Sequence, residues 1–220
     1  MRLHLIRHGQ TPSNLIHALD TDEPGPALTA EGERQAAAVG AAFAGRPLDL
    51  VYASPLTRTR QTAAAIAEPH GLEVHIRAGL REILAGELEM RTDDESVTRY
   101  LGTMVRWAAG DLDLVLPGGE SGQATLDRFD QVVSEVAATG AQEVALVSHG
   151  AMIRFWAMVR ADNLDASTAA DRWLDNTGVV SLIGAPGGWQ VTQWQDELVA
   201  HTSATPGDGP GGQPAPQPVR

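Results

Sequence analysis

Apolar residues in this chain come in short runs that end at glycine, proline or a charge, and the runs alternate between strand and helix periodicity. Leu3-His4-Leu5-Ile6 is a brief apolar strand that stops at Arg7-His8-Gly9, where glycine permits a tight turn. From Thr29 the pattern becomes helical. Thr29 serves as the N-cap, Glu31 falls in the first turn, and an alanine-rich stretch runs to Phe43-Ala44 before Gly45. Residues 48–53 read as a buried strand, 56–70 as a helix stopped by Gly71, and 72–76 as a further strand. Strand, helix, strand in that order predicts a largely parallel sheet with helices on its faces.

The rhythm breaks over 84–117, where acidic and apolar residues mix, and this stretch reads as an inserted helical lid of the kind that selects substrate. Residues 120–138 resume a helix, 143–147 a strand, and 152–159 a buried helix after Ser148-His149-Gly150. Two closing strands, 179–183 and 189–194, flank the turn-forming Ala185-Pro186-Gly187-Gly188. The expected fold is α/β: a three-layer α/β/α sandwich with a mostly parallel central sheet and a small helical lid. One domain over 1–202 is followed by a Pro/Gly-rich stretch, 203–220, whose lack of apolar residues predicts a disordered tail.

Composition narrows the function classes. A chain of 220 residues, 43% hydrophobic, can bury a substantial single core. With no cysteine there are no disulfides or thiolate metal sites. A net charge of −12 argues against a nucleic-acid partner, although a local arginine cluster can still attract a small anion. No run approaches the roughly 18 apolar residues of a membrane span, and the opening segment is too short for a signal peptide, so no membrane partner and a cytoplasmic location are expected.

The candidate chemistry sits just past strand ends. In open α/β sheets ligands bind at the carboxyl ends of strands, so Arg7-His8-Gly9 and Ser148-His149-Gly150 can face one pocket. Between them, Ser54-Pro55-Leu56-Thr57-Arg58 runs from a strand end into a helix start. Arg7 and Arg58 offer forked donors to phosphoryl oxygens. A neutral His8 imidazole can attack phosphorus if its other nitrogen is held by a backbone acceptor, and a protonated His149 can bind the transferring group. Ser54 is read as a helix cap or a substrate contact, and Arg154 and Trp156 as support for the helix behind His149. Any one of these residues alone is more often structural; their company changes the reading.

That company resembles the histidine phosphatase (phosphoglycerate mutase-like) superfamily, branch 1. The matching segments are Leu5-Ile6-Arg7-His8-Gly9-Gln10-Thr11 with Asn14, Leu28-Thr29-Ala30-Glu31-Gly32, Ser54 to Ala63, and Val147-Ser148-His149-Gly150, in the family's order across residues 3–150. The resemblance implies hydrolysis of a small phosphorylated substrate through a phosphohistidine on His8, without metal or other cofactor. It implies a phosphate pocket of Arg7, Asn14, Arg58 and His149, with Gln10, Thr11 and Gly150 beside it. The acid would be Glu82 in Leu80-Arg81-Glu82-Ile83, with Glu87 in reserve, because the family's Gly-Asp/Glu-aromatic-Glu-Gly continuation departs here to Gly86-Glu87-Leu88-Glu89-Met90. Ala151 stands where mutases have asparagine, which favours hydrolysis over mutase transfer. A phosphoglycerate mutase and a silent phosphate-ester-binding protein are the alternatives. Gly118-Gly119-Glu120-Ser121-Gly122 lacks a P-loop's Lys-Ser/Thr ending and reads as a helix-opening turn.

Overall fold

A computed structural model describes residues 1–164 and 172–199; the expected tail over 203–220 and the domain boundary at 202 lie outside them. Strand β1 (Arg2–Arg7) leads through a one-turn helix α1 (Pro12–Leu15) to α2 (Ala30–Ala44), then β2 (Leu50–Ala53), α3 (Thr57–Ala67) and β3 (Val74–Ile76). Helices α4 (Asp94–Ala108) and α5 (Gly122–Ala138), β4 (Glu143–Ser148) and α6 (Gly150–Arg160) follow, and β5 (Val179–Ala185), β6 (Gly188–Trp194) and β7 (Glu197–Leu198) close the chain. The expected elements are present with ends shifted by a few residues; α1 and β7 are additional.

Among the described residues seven strands form one sheet in the order β3-β2-β4-β1-β5-β6-β7. The half containing β3, β2, β4 and β1 is parallel, as strand-helix-strand units require, while β5 to β7 extend it in antiparallel fashion through tight turns. Period-2 alternation sends Leu3 and Leu5 to one face and Ile6 to the other. On the first face Phe129 of α5, and Phe155 and Trp156 of α6, complete the larger core. On the opposite face Val39 and Phe43 of α2, with Ala63 and Ile66 of α3, pack on Val51, Ala53 and Val147.

The local signals that start helices act as predicted. Thr29 Oγ1 accepts the Gly32 N–H at 3.0 Å, and Ser121 caps α5 by accepting from Ala124 N, which makes the glycine-rich segment before it a helix-opening turn. In the stretch 84–117, a 3₁₀ turn over Gly86–Leu88 precedes α4. Its Asp93 cap accepts from Ser96 N, and Trp107 at its end packs against Phe155 of α6 with ring centroids 5.3 Å apart. Among the described residues no helix is long and apolar enough to cross a membrane.

Candidate active site

Strands β1, β4 and β2 lie side by side, and their carboxyl ends open on one cavity of about 300 Å³. Arg7, His8, Asn14, Arg58 and Glu82 line it together although they come from four separate stretches of chain. The turn after β1 is shaped by a close approach. A Cβ on Gly9 would come within 2.6 Å of Gly32 O, and one on Gly32 within 2.1 Å of Gln10 O. The first turn of α2 therefore packs directly on the Arg-His-Gly backbone, which explains why both motifs carry glycine.

His8 is 4% exposed and fixed at two points. Its N–H donates to Ser148 O at 3.1 Å, and its Nδ1 lies 2.7 Å from Gly9 O. A carbonyl oxygen only accepts, so Nδ1 carries the hydrogen and Nε2 the lone pair. Burial, reinforced by Arg58 and Arg7, holds the imidazole well below its ordinary pKa, which keeps it neutral.

His149 lies behind it, with ring centroids 5.2 Å apart. Its Nδ1 faces Arg58 Nη2 at 3.4 Å and its Nε2 faces Ser54 Oγ at 2.8 Å. A guanidinium only donates, so His149 carries its hydrogen on Nε2 and passes it to Ser54 Oγ, which turns to Thr59 Oγ1 at 2.7 Å. Burial first, then Arg58 and His8, push the His149 pKa well down, so in the ligand-free site this ring is neutral rather than protonated. Ser54 is thus neither a cap nor a substrate contact. The N-cap of α3 is Leu56, without a side-chain bond, and Ser54 orients His149 instead.

Arg58, in the first turn of α3, is 2% exposed. It donates from Nη2 to Asp20 O at 2.8 Å and from Nη1 to Asp20 Oδ1 at 3.3 Å. Arg7 Nη1 donates to Leu174 O at 2.7 Å. The Nε atoms of Arg7 and Arg58 are both buried without a hydrogen-bond partner, a costly state that an incoming anion would relieve. A Cβ on Gly150 would press within 3.1 Å of Arg7 Nε, so the glycine leaves room for this guanidinium.

Glu82 reaches the N-terminus of α6. It accepts from Met152 N at 2.8 Å and Ala151 N at 3.2 Å, and from Ile83 N at 2.9 Å. Burial outweighs these three donors and raises its pKa. Glu87 is exposed and does not line the cavity, so geometry favours Glu82 of the two. Thr11 caps α1 and lines the cavity beside Asn14. Gln10 corrects the expectation of a substrate contact. Its Oε1 accepts from Thr29 Oγ1 at 2.9 Å and it is not in the cavity wall, because the Gly9–Gly32 approach turns it onto α2.

Several residues of the wall were not anticipated. Trp156 supports α6 as expected, donating to Asp130 Oδ1 at 2.8 Å, but Arg154 lines the cavity and lies 5.4 Å from the centroid of the Trp173 ring. Tyr100 donates to Ile83 O at 2.8 Å, and with Val97 and Leu101 it presents one face of α4 to the cavity. Asp20, Trp173 and Asn176 also line it. Only a turn signal at Asp175-Asn176-Thr177-Gly178 ahead of a strand could have drawn attention to the last.

The departure after Glu82 acquires a structural meaning. Glu89 accepts from Thr21 N at 2.8 Å and Asp22 N at 3.2 Å, tying down the loop that carries Asp20. Met90 follows with φ 59° and donates its N–H to Leu19 O at 2.8 Å. A methionine in this left-handed conformation is strained by about 1 kcal/mol. Met90→Gly should therefore raise the thermal midpoint by a few degrees in calorimetry without loss of the fold; an unchanged or lower midpoint would contradict the strain.

The model of the histidine phosphatase superfamily (branch 1) matches residues 3–197. The chain belongs to that superfamily. Among its relatives, the PE-PGRS family protein PE_PGRS11 of Mycobacterium tuberculosis is 32% identical over 87% of this chain, which spans only 36% of that relative. The "Probable phosphoglycerate mutase GpmB" of Salmonella choleraesuis is 32% identical over 68% of this chain and 70% of its own length. A mycobacterial glucosyl-3-phosphoglycerate phosphatase in complex with VO3 has a TM-score of 0.75 and 27% identity, covering 89% of this chain and 99% of its own. A phosphoserine phosphatase of Entamoeba histolytica, a mutant in complex with phosphoserine, has a TM-score of 0.71 and 25% identity, covering 89% and 96%. In this superfamily member His8, Arg7, Arg58 and Asn14 line one cavity, whereas the second motif histidine, His149, is fully buried behind His8 and is not part of the cavity wall.

Proposed function

We propose that this chain is a phosphomonoester hydrolase that works through a phosphohistidine on His8. The observation that carries the reading is the pairing of a neutral His8, whose Nε2 lone pair is set by Gly9 O, with two buried guanidinium Nε donors that lack an acceptor. In the first step His8 Nε2 attacks phosphorus, the P–O ester bond breaks, and Glu82 gives its proton to the departing alkoxide oxygen. Water then attacks phosphorus as the P–N bond breaks, Glu82 takes back a proton, and inorganic phosphate leaves. Arg7, Arg58, Asn14 and His149 stabilise the three transferring oxygens. Bound phosphoryl charge favours protonation of His149, which is neutral in its absence.

The rim points to the alcohol half of the ester. Leu19, Val97, Leu101 and Trp173 give it apolar surface, and Arg154 adds one cation, so we assign a small phosphorylated metabolite whose leaving group has an apolar or planar face. Relatives named as phosphatases of glucosyl-3-phosphoglycerate and phosphoserine support hydrolysis. The mutase-named relative makes intramolecular transfer the competing reading.

Phosphate release from sugar phosphates, phosphoglycerates, phosphoserine and aryl phosphates, measured with EDTA present, tests this. Release should persist in the chelator and be accompanied by acid-labile, alkali-stable phosphate on the protein. No release from any ester, or isomerisation of phosphoglycerate without release, would overturn hydrolysis.

A further inference from the structure

A side-chain amide on the far side of the sequence fixes the orientation of another. Asn176 lies in the turn ahead of β5 and points Nδ2 at His8 O, 3.0 Å away, and at Asn14 Oδ1, 3.1 Å away. The His8 carbonyl only accepts, so this settles which end of the Asn176 amide faces it. Asn14 Oδ1 also accepts the Thr11 backbone N–H at 3.0 Å, and a backbone N–H only donates, so the Asn14 amide is settled as well. Its oxygen has two lone pairs and both are taken. The Nδ2 hydrogens of Asn14 are then the polar end left for a ligand in the cavity that Asn14 lines with Arg7, His8 and Arg58.

We propose that Asn176 is a positioning residue that locks the Asn14 amide with its NH2 group toward the phosphoryl site, so that Asn14 meets phosphate only as a donor. The inference rests on the phosphatase reading above. If Asn14 turned over, its carbonyl oxygen would face the phosphoryl oxygens, acceptor against acceptor. Asn176 adds to the Thr11 N–H a second donor that prevents this, while also holding the His8 carbonyl, a bond that Thr177 N shares at 3.3 Å. One side chain thereby sets both the nucleophile's backbone and the neighbouring donor.

The test is a double-mutant cycle read by binding of inorganic phosphate in calorimetry, which requires no turnover. Asn176→Ala should weaken phosphate binding about tenfold, the usual worth of one charge-assisted hydrogen bond. Asn14→Ala removes the amide without placing an acceptor against phosphate, so nothing is left to turn over. In that background Asn176→Ala should therefore cost less than about twofold, a non-additivity expected only of residues that act through one another. An undiminished tenfold cost in the Asn14→Ala background would overturn the proposal.

A second readout is independent of any ligand. In nitrogen–proton correlation spectra the Asn14 side-chain amide should give one pair of signals in the native protein and a doubled or broadened pair in Asn176→Ala. Unchanged Asn14 signals in a variant that keeps its thermal midpoint would also overturn it. A native protein that binds no phosphate would sink the functional reading, while the spectra would still decide the amide geometry.

Discussion

His8→Ala should abolish turnover, lowering kcat by about 10,000-fold or more, the scale seen when a covalent nucleophile is removed. The loss should be nearly pure in kcat. Arg7, Arg58 and Asn14 stay in place, because His8 is held through backbone atoms: its N–H bonds Ser148 O and its carbonyl accepts from Asn176. Inorganic phosphate should accordingly still bind within about threefold of the native affinity, since the bulk of ground-state recognition comes from the charged donors. Removing the neutral ring leaves a cavity beside His149, at 5.2 Å between centroids in the native protein, and added imidazole should restore part of the rate. Retained turnover in His8→Ala would exclude the phosphohistidine route.

Glu82→Gln should produce the second largest effect, and its size should depend on the ester. For an alkyl phosphate, whose alkoxide leaves poorly without a proton, the phosphorylation step should slow by about 1,000-fold, within the range of general acid catalysis. For p-nitrophenyl phosphate, whose leaving group needs no proton, the loss in that step should be about tenfold or less. The pH dependence has a definite sign. Burial raises the Glu82 pKa, so the acid form that donates the proton persists above the ordinary carboxylic range and is lost as pH climbs through the raised value. Burial and the arginines lower the His8 pKa, so the nucleophile stays neutral as pH falls below its ordinary value. Single-turnover phosphorylation should thus fall on the acid side through His8 and on the alkaline side through Glu82. Glu82→Gln should erase the alkaline limb alone; equal losses on both esters with the limb intact would remove Glu82 from the acid's role.

The parts of this site that could be read from the sequence are those whose chemistry is local. Arg7, His8 and Gly9 stand at the end of one strand, Arg58 opens a helix and His149 follows another strand, so strand-end logic places them at one end of the sheet. Hydrophobic periodicity likewise located the strands and helices of both core layers, although not the exact ends of β2 and β3, where turn and strand residues look alike. Gln10 was misread because its neighbour in space, Thr29, is a helix cap whose distance from the first motif is set by the Gly9–Gly32 approach. Ser54 was misread because a serine ahead of a helix is usually its cap, whereas here proline and leucine intervene and the hydroxyl reaches His149 instead. Asp20, Arg154, Trp173 and Asn176 carry no motif at all. They enter the cavity through loop paths and a helix face that depend on the whole tertiary structure.

The carbonyl of His8 is held by Asn176, 168 residues further along the chain. A ribosome therefore finishes this active centre last, although it makes the nucleophile first. Nascent chains that have emerged only as far as the second histidine, and products of termination between His149 and Asn176, carry every motif residue yet lack the brace on the first turn. Such fragments should be catalytically mute, so the appearance of activity during synthesis marks chains that have been translated through the strap at Asp175-Asn176-Thr177 and have closed its long-range contact to the first turn.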